Sequence, residues 1–172
     1  GPHWEIWPAI PRLTVALDAF ETPAYYTRFL FLGGSQSAPT RAAYEQWRVR
    51  NRMDSGFKLQ TQHSYAASVN RNREFFAAHP ETLIGPPGEN TKFDPSYPAL
   101  LEMLARDAIE QLRRNPEWDC ISCDPSDGGG WRKDSPLGRP SNQAVTVANH
   151  VARAIQAEFP GRRVGMYAYA EH

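Results

Sequence analysis

Residues 118–130 read WDCISCDPSDGGG. Asp119 to Asp124 is a short run of strand length, with Cys120, Ile121 and Cys123 between its polar residues, and Pro125 with the glycines at 128–130 breaks it. The Gly/Pro/Ser/Asp-rich loop continues to Arg139. Ser141 then offers an N-cap, and Ala144, Ala148, Val151, Ile155 and Phe159 recur at helical spacing until Pro160-Gly161 stops the helix. Arg163 to Ala170 (RVGMYAYA) reads as the next strand. Strand, loop, helix, strand is the unit from which parallel sheets with right-handed crossovers are built.

Upstream, the same alternation continues. The helix from about Ser96 to Arg114 carries Leu101, Leu104, Ala108 and Leu112 on one stripe, with Ala105 and Ile109 beside it, and Asn115-Pro116 ends it. Residues 84–98 (IGPPGENTKFDPSYP) read as a long polar loop, and Val69 to Ala78 as a short helix stopped by His79-Pro80. Phe57 to Tyr65 alternates as a strand. Thr40 is a candidate N-cap for a helix from Arg41 to Met53, in which Tyr44 and Trp47 share a face. Tyr25 to Gly34 reads as a buried strand, and Arg12 to Asp18 as a shorter one. The first 22 residues are an irregular lead-in, rich in Trp and Pro towards their start. The expected fold is α/β: about four βα units with parallel strands, a partial TIM-type (β/α) barrel in a single domain over residues 1–172. A final parallel strand would leave an open edge, so the chain is expected to self-associate or to be joined by the missing C-terminal half of a barrel.

The chain has 172 residues, enough for an ordinary core, with 41% apolar and 22% charged residues. Nineteen basic residues balance nineteen acidic ones. That balance argues against nucleic acid or an anionic membrane as the main partner, since both demand a basic excess. No apolar run reaches the roughly 18 residues of a membrane span, and no signal peptide is read in the opening residues. Five Trp, seven Tyr, eight Phe and fifteen Pro suit a protein that handles polar, uncharged ligands with flat faces, such as sugars. They suit a large loop-rich core equally well. Cys120 and Cys123 form a CxxC, but three residues apart on a strand point to opposite faces, and neither a second CxxC nor a His pair lies near. Buried thiols are expected there, with no metal and no cofactor. The glycines at 128–130 lack the Lys-Ser/Thr of a phosphate loop, and GxSxG is absent.

Several short motifs stand in order along the chain: Pro23-Ala24, Arg28, Trp47, Asn51-Arg52-Met53, His63-Ser64 and His79-Pro80-Glu81. Asp127-Gly128-Gly129, Ser135, Asn149, Ala152 and Ala168-Tyr169 follow them. In this order the chain resembles the DUF4838 family from about Pro23 to Tyr169. That family is mostly bacterial, of unassigned activity, and related to glycoside hydrolase barrels of the α-glucuronidase and hexosaminidase kind. Where its members often carry further cysteines after the Asp-Gly loop, this chain reads Trp131-Arg132-Lys133. The resemblance implies a glycoside hydrolase-like protein acting on a polysaccharide or oligosaccharide, and an exported bacterial location.

Ligands of parallel α/β folds sit at the carboxyl ends of the strands. Glycoside hydrolysis commonly uses two carboxyl groups there. Asp127 is the expected general acid, because it lies on the Gly-rich loop that matches the family; burial beside Trp131 would raise its pKa. Glu171 or Asp124 is the second carboxylate. Asp127-Gly128 also reads as a plain turn, and Asp124 before Pro125 as a cap. His63, Trp131 and Tyr169 are expected to hold the sugar, with Trp131 exposed on an open loop as a stacking platform. His63 reads equally as a structural hydrogen-bonder and Tyr169 as core. Arg28 would pair with a carboxylate, either buried in the protein or on a uronic acid substrate. A non-catalytic carbohydrate-binding module and an assembly protein built on a partial barrel are the alternatives.

Overall fold

The computed structural model describes residues 12, 14–20, 24–25, 27–28, 30, 37–53, 57, 62–88 and 90–168. The chain divides into two compact units, 1–57 and 58–172. In the first, helix α1 (Ala38–Arg50) starts one residue after Ser37, whose Oγ accepts from the Thr40 N–H, so Ser37 is the N-cap in place of Thr40. Tyr44 is its buried residue and stacks on Trp47 at 6.0 Å. The described residues of 12–20 have no regular structure, and Val15, Leu17 and Phe20 are exposed. The strand expected at 25–34 falls mostly outside the described residues.

The second unit is mixed α/β. Helices α2 (Tyr65–Arg71) and α3 (Arg73–Ala78) lead into a hairpin of β1 (Leu83–Ile84) and β2 (Lys92–Phe93). Helix α4 (Pro98–Arg114) precedes β3 (Cys120–Ser122), and α5 (Pro140–Glu158) precedes β4 (Arg163–Gly165). Both long helices begin on a proline, whose missing N–H costs nothing in a first turn. Leu100, Leu104, Ala108 and Leu112 recur every four residues on α4, and Ala144, Val147, Val151 and Ile155 face them from α5. The buried stripe of α4 thus begins at Leu100, with Leu101 half-buried beside it.

Strands β3 and β4 pair in parallel, with Cys120 opposite Arg163 and Ser122 opposite Gly165. His63 adds a parallel bridge to Asp124, locked by Ser64 N–H to Asp124 O at 2.9 Å. Three parallel segments therefore stand side by side, and their carboxyl ends share one edge. The β3–α5–β4 order follows the pattern of the sequence, and β4 is shorter than RVGMYAYA implied.

The polar loop expected over 84–98 contains the antiparallel hairpin instead, with Leu83 opposite Phe93. Thr91, Lys92, Phe93 and Asp94 are all buried. Phe93 explains why. Its ring stacks on Tyr65 at 4.1 Å and lies 5.5 Å from Phe76, which draws the segment into the core. Among the described residues no helix is long and apolar enough to cross a membrane.

Candidate functional site

The shared carboxyl edge gathers His63, Asp124 to Asp127, and Tyr167. His63 Nδ1 lies 2.6 Å from the Pro125 carbonyl. A carbonyl only accepts, so Nδ1 carries a proton. Nε2 faces Asp127, whose Oδ2 is 4.0 Å away. The Tyr167 ring stands edge-on to the imidazole at 5.9 Å. Two fixed contacts thus hold the ring at one orientation and leave Nε2 as its working nitrogen.

The two aspartates of this loop have opposite surroundings. Asp124 is fully buried. Its Oδ2 lies 2.6 Å from Ser122 Oγ, and its Oδ1 accepts from the Tyr167 N–H. It ties β3 to the segment after β4. Asp127 is exposed, with its side chain 69% accessible. Its Oδ1 accepts from the Gly128 N–H at 3.1 Å, the local turn bond that the Asp-Gly pair suggests. The burial expected to raise its pKa is therefore not provided by the fold as it stands.

Trp131 is 8% exposed, so the expected open-loop stacking platform is instead part of the wall. Lys92 approaches it from β2, with its Nζ 5.6 Å from the centroid of the Trp131 ring. Lys92 is itself fully buried and donates to the carbonyls of Ser126 and, at 3.1 Å, Asp127. One ammonium thus staples the Asp127 loop to the hairpin. Next to it, Arg132 bonds the buried Asp94 and reaches Asp134 at 3.1 Å. Burial works to raise the Asp94 pKa. The Ser96 hydroxyl and N–H together with the Arg132 guanidinium outweigh it and hold the carboxyl below its ordinary value.

Both cysteines are buried and unbridged. Burial, then the charge of Asp124, pushes the Cys123 thiol up to about 12, which makes it a poor nucleophile and metal ligand. No group of three or more His, Cys, Asp or Glu able to hold a metal occurs among the described residues.

Of the residues expected to form a site, His63, Asp124 and Asp127 meet at one edge, and Trp131 lies behind the same loop. Tyr169 and Glu171 fall outside the described residues. Arg28 belongs to the first unit, where it is exposed. Lys92, Asp94, Arg132 and Tyr167 were not anticipated. Only Tyr167 carried a signal, as a member of the last strand.

Comparison with curated proteins and with solved structures gives no match. The family model described as "Domain of unknown function (DUF4838)" matches residues 1–172, and the chain belongs to that family.

Proposed function

We propose that the carboxyl edge of the parallel strands is the carbohydrate site of a glycoside hydrolase-like protein built on a partial (β/α) barrel. Asp127 is the acid, and His63 holds a sugar hydroxyl through Nε2. The observation that carries this reading is an imidazole held at one orientation with its Nε2 4.0 Å from an exposed carboxylate, at the strand edge where such folds bind ligands. Asp124 serves the scaffold, because both of its oxygens already accept protein hydrogen bonds. The second carboxylate then falls to Glu171. A sugar covering the exposed Asp127 side chain would supply desolvation there.

The exposure of Asp127 favours one second reading, a carbohydrate-binding module without catalysis. A panel of aryl glycosides, with wild type and Asp127→Asn, separates the two. Aryl release by wild type that disappears in Asp127→Asn supports the enzyme. Sugar binding that survives in both proteins without turnover supports the module. Absence of both binding and turnover sinks the carbohydrate reading.

A further inference from the structure

Two residues beyond Asp127, the loop shapes a cavity of about 880 Å³ against the start of α5. Residues 129–133 and 138–141 line it, and no carboxylate is among them. Three cations are: Arg132, Lys133 and Arg139. Arg132 is engaged by Asp94 and Asp134. Lys133 and Arg139 are exposed and have no acidic partner among the described residues. Three cations thus face two carboxylates, and the two unengaged ones sit on the cavity wall. In a chain with zero formal net charge this is a local excess. The wall stays open at Gly130, whose φ of +93° suits glycine and where an added Cβ would meet nothing within 4 Å. Guanidinium and ammonium groups around an open, glycine-walled cavity recognise an oxyanion by charge-assisted hydrogen bonds.

We propose that this cavity binds the anionic substituent, carboxylate or sulfate, of a charged polysaccharide whose chain passes Asp127. The proposal rests on the carbohydrate reading above and adds to it the class of sugar. Loop continuity gives the geometry: Gly129 is two residues from Asp127, at most about 7 Å along the backbone, so neighbouring sugar units would span the two places.

The test is a titration of the ¹⁵N-labelled chain followed by amide and indole NMR shifts. The probes are oligogalacturonate, a sulfated galactan oligosaccharide, a neutral cello-oligosaccharide and sodium sulfate, all at constant ionic strength. Wild type is compared with Lys133→Gln/Arg139→Gln, whose exposed positions leave the fold undisturbed. The expected result is saturable shifts at residues 129–133 and 138–141 with at least one charged oligosaccharide, and about tenfold weaker binding in the double variant. Which charged sugar wins distinguishes carboxylate from sulfate. Binding of the neutral sugar at His63 and Tyr167, with no preference for charged sugars, overturns this proposal and leaves the carbohydrate reading standing. Response to sodium sulfate alone, or to none of the probes, overturns it as well. Equal affinity of the double variant for the charged sugars does the same.

Discussion

Replacing Lys92 with methionine keeps the length and apolar stem of the side chain and removes only the ammonium. In the native protein that ammonium is fully buried, donates to the carbonyls of Ser126 and Asp127, and lies over the Trp131 ring. Each bond from a charged donor contributes about 1.5–3 kcal/mol, and the ring contact about 0.5–2 kcal/mol. Burying the charge costs several kcal/mol, which the substitution relieves. It also strands the Ser126 carbonyl, in a residue with no solvent exposure, at a cost of about 1–3 kcal/mol. The balance is a loss of about 2–4 kcal/mol, a large share of the 5–15 kcal/mol that holds a typical protein folded. Urea unfolding measures it: with a slope of about 1–3 kcal/mol/M, the midpoint should drop by about 1–2 M at an unchanged slope. The carbohydrate affinity proposed for His63 and Asp127 should fall in parallel, because Lys92 bonds the loop that carries Asp127. A midpoint equal to or above wild type would refute the reasoning, since desolvation of the ammonium would then outweigh everything it bonds.

Three further outcomes are expected. The folded pKa of Asp94 lies below its unfolded value, so its contribution to stability is complete above roughly pH 4 and disappears as pH falls through the folded value. Asp94→Asn should therefore be less stable at neutral pH, and its stability should change less between pH 5 and pH 2, as read by acid titration of circular dichroism. Tyr65→Phe should hold or raise stability by about 1 kcal/mol in thermal unfolding, because the buried Tyr65 hydroxyl has no hydrogen-bond partner among the described residues; a clear loss would mean that the hydroxyl is bonded. Cys123, 6% exposed and with its thiol pushed up to about 12, should resist iodoacetamide at pH 8 in the native protein and react in denaturant, as counted by mass spectrometry.

The parts of the fold legible in the sequence are those whose information is local and periodic. The helix at 140–158 and its flanking strands follow from apolar spacing and from two clear stops, Gly128 to Gly130 and Pro160-Gly161. The rule that ligands bind at strand ends was enough to group His63 with Asp127 across 64 positions, because parallel neighbours end on the same side. The hairpin at 83–93 was hidden for the opposite reason: its strands are two residues each, too short to show a period. Its anchor, Phe93, acts through rings at 65 and 76 that no local pattern connects to it. The same blindness misplaced Trp131. An aromatic in a Gly-rich loop reads as exposed, and one of the residues it packs against is a buried lysine, the type least expected inside a protein.

On the proposed carbohydrate reading, Asp124 and Asp127 divide structural from functional work within a single loop. They lie three positions apart, and both follow the same strand. Asp124 lies where the chain is still flanked on both sides, by His63 and by the segment after β4, so its oxygens are met by Ser122 and by the Tyr167 N–H before solvent can reach them. Pro125 then ends the ladder, since it has no N–H to extend it. Beyond that point Lys92 holds the backbone through the carbonyls of Ser126 and Asp127, and the exposed Asp127 side chain lies 4.0 Å from His63 Nε2. Asp124→Asn should therefore act on folding, while Asp127→Asn should leave folding intact and act on the bound sugar. The reverse pattern would mean that the burial of these two carboxylates does not track their roles.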